Sequence, residues 1–262
     1  MIKQYIVDAF TDKVFQGNPA AVCVLDKWPE EQLMMNIATE NNLSETAFIV
    51  KEEASYRLRW FTPTCEVGLC GHATLASGFV MLNYYEEKTN SVTFNTQAGM
   101  LTVTKKEDMY EMLFPNIPLE RVKVTEDMLE ALGTIPVDVL MGKDLDLICV
   151  LQDEEQVKDF VPYAETLKKL PGRMVHITSP GTNGYDCVSR CFGPKIGILE
   201  DPVCGSAHCQ IVPYWAKRLG KNTINAWEAS PRGGELQGEV IDDNHLFLRG
   251  KAVLFSQSDI NV

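Results

Sequence analysis

The sequence predicts an α+β fold made of two similar lobes, each with a mixed or antiparallel sheet wrapped around a central helix. Three observations predict it. Short motifs recur in the same order in both halves, the predicted strands and helices follow a similar order in each half, and one long apolar helix follows a Cys-Gly pair in each half. This order of elements suits a sheet that packs around a helix.

Four short motifs of the first half return in the second half. The matched segments are residues 21–25 with 147–151, 59–63 with 190–194, 70–73 with 204–207, and 99–101 with 234–236. Ordered matches about half a chain apart indicate an internal duplication. We therefore expect an N-terminal lobe of residues 1–115 with a C-terminal return segment at about 251–262, and a C-terminal lobe of residues 116–250. A pseudo-twofold axis would relate the lobes, with the active site in the cleft between them.

Apolar alternation and helical periodicity predict the elements of each lobe in chain order. In the first lobe we expect strands at residues 5–10, 20–25, 46–50, 56–61, 91–95 and 100–105, and helices at 29–41 and 71–84. In the second lobe we expect strands at 145–151, 174–178, 185–192, 223–228, 235–241 and 245–255, a helix-like stretch at 154–170 and a helix that begins at Gly205.

Composition excludes several classes of partner. The formal net charge is −12 and no Lys/Arg-rich run is present, which argues against nucleic acid and anionic membranes. No apolar stretch approaches the roughly 20 residues of a membrane span, and the first residues lack a signal-peptide core, so we expect a cytoplasmic protein. The eight cysteines are expected to be reduced, and the pairs 65/70 and 204/209 are spaced more widely than structural zinc ligands usually are. We predict no metal.

The Cys-Gly pairs at 70–71 and 204–205 stand between a polar loop and an apolar helical run. Small residues at a helix start leave backbone N–H groups uncovered, and together with the helix dipole these bind anions. Gly71, Ala73, Gly205 and Ala207 would then hold a carboxylate-bearing substrate and stabilise its enolate without metal or coenzyme. The alternative is that both pairs are only tight turns with buried cysteines.

At these motifs the chain resembles the PhzF-like isomerase family (phenazine-biosynthesis type), which shares its duplicated fold with diaminopimelate epimerase and proline racemase. The resemblance runs almost end to end. Its markers are GNPAAV at 17–22, NLSETAF at 42–48, RWFTP at 59–63, CGHAT at 70–74, EDPVCGSAHC at 200–209 and SPRGG at 230–234.

The resemblance implies a cofactor-independent isomerase that moves a proton near a carboxylate of a small metabolite. It places the glutamate base on Glu45, supporting groups on His72, Asp201 and Ser206, and a substrate-binding residue on Asn18. It also implies a homodimer.

The residues themselves leave alternatives open. Glu45 stands where a predicted helix gives way to a strand, which could project its carboxylate into a cleft or leave it solvated. His72 stands at a helix start, where the dipole would keep its ring neutral, or it only caps the helix. Asp201 could accept a hydrogen bond from His72 or substrate, or form a turn before Pro202. Ser206 could contact substrate or be a first-turn residue.

Two further hypotheses use the same fold. Cys204 stands where the family often has Thr, and Cys70 and Cys204 occupy the places of the two catalytic thiols of the related epimerases and racemases. Thiols at helix starts have lowered pKa values, so this pair could act as a two-thiol amino-acid racemase or epimerase. Retention of Glu45, His72 and Asp201 favours the glutamate mechanism. The third hypothesis is a metabolite-binding or protein-binding member without turnover.

Overall fold

The structure is a computed structural model that describes residues 1–52, 55–142 and 146–262. The chain divides into two compact units. Unit 1 comprises Met1–Leu113 and Arg249–Val262, and unit 2 comprises Phe114–Leu248. The lobe boundaries expected from the sequence fall two residues beyond each of these divisions. The placement of the active site between the lobes stays a prediction.

Unit 1 is a sheet with two helices. Its elements are β1 (Ile2–Ala9), β2 (Asn18–Leu25), α1 (Glu31–Asn41), β3 (Glu45–Glu52), β4 (Ser55–Phe61), β5 (Glu66–Val67), α2 (Gly71–Tyr84), β6 (Ser91–Thr96), β7 (Gly99–Lys106), β8 (Met109–Pro115) and the last strand of the chain, β18 (Ala252–Ile260). The strands neighbour one another in the order β18, β1, β2, β3, β4, β6, β7, β8. The pairs β2–β3 and β4–β6 are parallel and the others antiparallel.

Unit 2 repeats this plan with an additional helix, α3, near its beginning and two short helices, α4 and α5, in the place of α1. Its elements are β9 (Leu119–Arg121), α3 (Glu126–Leu132), β10 (Asp138–Gly142), β11 (Asp146–Val150), α4 (Glu154–Lys158), α5 (Ala164–Leu167), β12 (Met174–Pro180), β13 (Cys187–Gly193), a 3₁₀ turn (Pro194–Ile196), β14 (Ile198–Asp201), α6 (Gly205–Leu219), β15 (Thr223–Glu228), β16 (Gly234–Val240) and β17 (His245–Gly250).

The strand order in unit 2 matches that in unit 1. The strands neighbour one another in the order β9, β10, β11, β12, β13, β15, β16. The parallel pairs are β11–β12 and β13–β15, at the places that β2–β3 and β4–β6 hold in unit 1. The predicted α+β fold of two similar lobes with a central helix each is therefore confirmed.

A mostly buried Arg–Glu pair recurs at the same place in both units. In unit 1 the guanidinium of Arg59 makes two bonds of 2.7 Å to the carboxylate of Glu66. In unit 2 Arg190 donates to both oxygens of Glu200 at 2.7 and 2.9 Å. Bidentate pairing of this kind fixes both partners in orientation as well as distance. It ties the strand before each central helix to the short strand that leads into that helix.

The packing between the central helix and the sheet is inverted between the two units. In unit 1, a Cβ on Gly78 of α2 would lie 2.4 Å from the side chain of Val103 in β7. In unit 2, the matching positions carry Val212 on α6 and Gly238 on β16, and a Cβ on Gly238 would lie 2.4 Å from Val212. Each contact holds one valine and one glycine, because two side chains would not fit in either space.

Helix α6 contains a proline that anchors the start of unit 2. Pro213 has no N–H, so the carbonyl of Cys209 loses its usual helical partner. The backbone N–H of Ile117 donates to that carbonyl at 3.2 Å. The segment that leads into β9 is thereby held against the middle of the helix.

The structure corrects two predicted elements. The helix-like stretch at 154–170 is two short helices, α4 and α5, because Pro162 lies between them and disfavours helical backbone at the residue before it. The single strand predicted at 245–255 is two strands, β17 and β18, and β18 pairs with β1. Leu145, the first residue of a predicted strand, lies outside the described residues. Within the described ranges, none of the helices combines the length and apolar character that crossing a bilayer requires.

Candidate active site

Helix α2 begins with exposed backbone donors, as expected from its sequence. Cys70 is the residue before the helix and has extended backbone angles, and its side chain makes no capping hydrogen bond. Gly71 is the first helical residue, followed by the buried His72 and Ala73. The first N–H groups of a helix have no partner within the helix, so this start is suited to an anion.

The end of α1 sets the position of Glu45, which is the first residue of β3. Asn42 follows α1 in the left-handed conformation, with φ of 48°, and its N–H donates to the carbonyl of Ala38. Three residues later the chain enters β3, whose first residue is Glu45, opposite Ala20 of β2. The side chain of Glu45 is only 13% exposed.

Glu45 and His72 face one another at ion-pair distance. Oε2 of Glu45 lies 3.1 Å from Nε2 of His72, whose side chain is 7% exposed. Neither atom has a hydrogen bond of good geometry to any residue that the structure describes. The other ring nitrogen, Nδ1, lies 3.6 Å from Sγ of Cys70. The two facing atoms of this mostly buried acid and ring could therefore each form a further hydrogen bond.

The charges of this group differ from the sequence-based expectation. Burial raises the pKa of Glu45, but the neighbouring His72 outweighs burial and the pKa is lowered overall. Burial disfavours the imidazolium of His72, but its interactions with Cys70 and Glu45 raise its pKa well above the usual value. The neutral ring expected from the helix dipole is therefore wrong, because Cys70 and the carboxylate of Glu45, 3.1 Å away, both raise the pKa of the ring.

The thiol of Cys70 also departs from expectation. Burial is the largest cause and raises its pKa to about 11, so it is protonated at neutral pH. The lowered pKa expected for a thiol at a helix start is wrong here, because desolvation of the thiolate exceeds the effect of the dipole.

Glu45, Cys70 and His72 could also offer ligands to a metal ion. Their candidate ligand atoms lie within 4.8 Å of one another. However, His72 directs Nε2 to Glu45 and Nδ1 to Cys70, on opposite sides of its ring. One ion can bind only one of these nitrogens, so the arrangement suits a proton path through the ring better than a metal centre. The absence of a metal stays a prediction.

Helix α6 begins in the same way but with a different set of partners. Cys204 precedes the helix, and its backbone N–H donates to Oε2 of Glu228 at 2.8 Å. Its carbonyl accepts from Nδ1 of His208 at 2.8 Å. Nε2 of the same ring lies 3.2 Å from Oγ of Ser189. Here the acid and the ring both bind backbone groups of Cys204.

The groups around α6 are held neutral. Glu228 is fully buried, and burial together with the nearby charge of Asp201 raises its pKa well above the usual value. Burial lowers the pKa of His208 to about 4. Cys191 lowers the pKa of Cys204, but burial and the nearby charge of Asp201 raise it overall. The lowered pKa expected for Cys204 is wrong for the same reason as at Cys70.

The remaining predicted site residues lie as follows. Asp201 ends β14 opposite Cys191, and the exposed Ser206 places Oγ 3.3 Å from Sγ of Cys204. Asn18 begins β2 and is fully buried. Gly71 and Ala73 lie in the first turn of α2, and Gly205 and Ala207 in the first turn of α6. Unit 1 therefore gathers Glu45, Cys70 and His72, and unit 2 gathers Asp201, Cys204 and Ser206.

Glu228 and His208 are the residues that the sequence analysis missed. His208 carried a signal, because it lies one helical turn after Cys204. Glu228 ends a strand of alternating burial, and its place beside Gly234 matches that of Thr96 beside Gly99 in unit 1. An acid at a position where the other repeat has a threonine is the signal that could have found it.

The duplicated α+β fold of this chain also occurs in a solved epimerase structure. A hydroxyproline epimerase from Agrobacterium vitis has this fold, with a TM-score of 0.65 over 99% of this chain and 90% of that one, at 9% identity. At that identity the likeness concerns the fold alone.

Sequence similarity identifies the family. Residues 7–258 match the family described as phenazine biosynthesis-like protein, PhzC-PhzF. An uncharacterized isomerase of Pseudomonas aeruginosa is 43% identical over 98% of this chain and 97% of its own length. The crystal structure of a PhzF-family phenazine biosynthesis protein from Enterococcus faecalis has a TM-score of 0.96 and 50% identity, and covers 100% of this chain and 99% of that one. The chain belongs to the PhzF family, and these relatives support an isomerase-like function.

Proposed function

We propose that this protein is a cofactor-independent isomerase that moves a proton at a carbon near the carboxylate of a small metabolite, with Glu45 as acid and base. One observation carries the proposal. A carboxylate of lowered pKa and an imidazolium of raised pKa lie 3.1 Å apart at the start of α2. The facing atoms form no hydrogen bond with the described residues, so they remain available to a substrate.

The chemistry follows from these two charges. Glu45 takes a proton from a carbon beside the substrate carboxylate, and the electron pair of the broken C–H bond moves into the enolate. The imidazolium of His72 and the N–H groups of Gly71 and Ala73 offset the new negative charge. Glu45 then returns the proton to a second carbon of the same conjugated system. One C–H bond breaks and another forms, so the substrate is neither oxidised nor reduced.

The environment of Glu45 suits a group that must be ionised before each turnover. His72 lowers its pKa, so the carboxylate is ionised at neutral pH although it is mostly buried. Partial burial excludes much of the water that would otherwise weaken the interaction with developing charge. The supporting roles of Asp201 and Ser206, substrate binding by Asn18, a cytoplasmic homodimer and independence from metal belong to the same proposal.

The two-thiol mechanism has less support. It needs one thiolate at rest, and burial raises the pKa of Cys70 to about 11 while the pKa of Cys204 is also raised. A protonated thiol is a poor base at neutral pH. We therefore treat this mechanism, and binding without turnover, as outcomes that the following experiment distinguishes.

Proton exchange in D2O tests the proposal. Small carboxylates that stabilise the protein in thermal-shift assays would be incubated with it, and ¹H NMR would follow the loss of each C–H signal. We expect deuterium to enter one carbon near the carboxylate. Glu45→Gln should slow this exchange by about 10²–10⁴-fold, because the amide cannot take the proton. Its near-isosteric side chain should preserve the ligand-induced thermal shift.

Cys204→Ser is the matched control for the rival mechanism. It should exchange within a few-fold of the wild-type rate, because the thiol is protonated and packed. Undiminished exchange in Glu45→Gln would end the proposal. Loss of exchange in Cys204→Ser and Cys70→Ser with Glu45→Gln active would establish the thiol mechanism. A wild-type protein that binds several carboxylates and exchanges none would be a binding protein.

A further inference from the structure

Unit 2 contains a cavity of about 580 Å³ beside the middle of helix α6. It lies between that helix and the strands β9 and β10, and volumes of this size are typical of small-molecule sites. Leu119, Leu140 and Pro213 supply apolar lining. The predicted and proposed site residues are absent from its lining, so it is a place in the fold to which nothing above assigns a role.

The cavity is formed by a specific feature of the backbone. Pro213 lines it and also frees the carbonyl of Cys209, which accepts the N–H of Ile117. That bond holds the chain just before β9 against α6, while β9 itself pairs with β10. Backbone hydrogen bonds therefore fix the positions of α6 and β9, which lie on either side of the cavity.

The charged groups that line the cavity are mostly basic, whereas the protein as a whole is acidic. Arg121, Lys217 and Arg218 line the cavity with a single carboxylate, Asp138, in a protein of net charge −12. Asp138 lies 3.0 Å from Arg121, so that pair is largely neutral. Within the described part of the chain, Lys217 and Arg218 have no carboxylate within ion-pair distance, which leaves two positive charges uncompensated.

Tyr214 orients one of these cations. The guanidinium of Arg218 donates to the hydroxyl of Tyr214 at 3.1 Å and lies 5.9 Å from the centre of its ring. The hydroxyl in turn lies 3.5 Å from Oδ2 of Asp138. An arginine held this way keeps donors available in a fixed orientation, which suits carboxylate, sulfonate or phosphate oxygens.

We propose that this cavity is a second binding site, for an organic anion with an apolar body and one carboxylate, sulfonate or phosphate group. The body would rest on Leu119, Leu140 and Pro213, and the anionic group would meet Lys217 and Arg218. The site lies on the same helix whose first turn contains Gly205, about two turns further along. The proposal is independent of the chemistry proposed for Glu45.

Two fluorescent probes of nearly the same shape test this site. 1-Anilinonaphthalene-8-sulfonate has an aromatic body and one sulfonate, and N-phenyl-1-naphthylamine has the same body without charge. Titration of the wild-type protein should give saturable binding of the sulfonate probe at one site per chain, with weaker binding of the neutral probe. Lys217→Glu/Arg218→Glu should weaken the sulfonate probe by about tenfold or more and leave the neutral probe within a few-fold.

Two further variants locate the site. Leu119→Trp narrows the cavity without changing charge, and it should weaken binding of both probes while proton exchange is kept. Lys168→Glu/Lys169→Glu changes the net charge of unit 2 by the same amount at exposed positions away from the cavity, and should bind both probes as the wild type does. Circular dichroism and thermal melting would show that each variant is folded.

Three results would overturn the proposal. One is absence of saturable sulfonate-probe binding to the wild type. Another is equal affinity in the wild type, Leu119→Trp and Lys217→Glu/Arg218→Glu, which would place the probe elsewhere. The third is an equal loss in the distant double variant, which would attribute binding to net charge alone.

Discussion

The first turns of α2 and α6 have a similar backbone conformation, but the acid and histidine side chains beside them differ in charge. Each helix begins at a glycine, after a cysteine in extended conformation that makes no side-chain cap. At α2 an acid and a histidine face each other as a charged pair at 3.1 Å. At α6 the acid and the histidine instead bind the N–H and the carbonyl of Cys204, and both are held neutral.

The two helix starts differ in how far their acid and histidine are already hydrogen-bonded to the protein. At α6 Glu228 and His208 each bind a backbone group of Cys204, which a substrate would have to displace, although Oε1 of Glu228 forms no hydrogen bond with the described residues. At α2 the facing atoms, Oε2 of Glu45 and Nε2 of His72, form no hydrogen bond with the described residues and so have capacity left for a ligand. Proton transfer at the start of α2 is our proposal, and the predictions below test whether the two starts differ as described.

The two histidines should show the largest difference. The pKa of His208 is about 4, whereas that of His72 is raised well above its usual value of 6.5. Their ¹⁵N-edited NMR titrations should therefore differ by more than about two pKa units, with His208 neutral and His72 charged at pH 7. Each unit of difference corresponds to about 1.4 kcal/mol.

Glu45→Gln tests the cause of that difference. Removal of the carboxylate should lower the pKa of His72 towards its usual value and leave the titration of His208 unchanged. A His72 ring that stays neutral down to pH 6 in the wild type would remove the charged pair from the proposal. Movement of both rings in Glu45→Gln would point to a general change of structure instead.

The helix starts at the site could be predicted from the sequence, but the charges of its side chains could not. The start of α2 at Gly71 and that of α6 at Gly205 were predicted to the residue, because each apolar run follows directly after a polar loop and a small residue. The charge of His72 depends on Glu45, which is 27 positions away in sequence, and the state of Glu228 depends on burial that no local pattern records. Contacts of this kind are set by tertiary packing.

The inverted glycine–valine contacts offer a second way to sharpen the comparison. Gly78→Val should place a side chain into Val103, which is 2.4 Å from a Cβ at that position, and should lower the free energy of unfolding by about 1–3 kcal/mol. The double variant Gly78→Val/Val103→Gly reproduces the arrangement of Val212 and Gly238 in unit 2. Part of the lost stability should return in chemical denaturation.

The control for this pair is Val103→Gly alone, which should also be destabilised because it leaves a cavity. A double-mutant cycle then gives the coupling between the two positions. If the double variant loses the sum of both single effects, the two positions are independent, and the inverted packing is coincidence rather than a property of the repeated frame.

The smallest effect concerns how stability depends on pH at the two buried glutamates. The pKa of Glu228 is raised in the folded protein, mainly by burial, so the folded state holds a proton that the unfolded state has released. Stability therefore falls as pH rises from the unfolded pKa of about 4.3 through the folded value, by about 1.4 kcal/mol per unit of difference. Glu228→Gln removes this loss, so its stability relative to the wild type should increase between pH 4.5 and 8 in urea denaturation.

For Glu45 the folded pKa is lowered, and its contribution is present above the unfolded pKa and lost on acidification. Glu45→Gln should therefore change the acid side of the curve in the opposite sense. The same slope in both variants would mean that the two acids share one charge state, which would remove the distinction between the two helix starts.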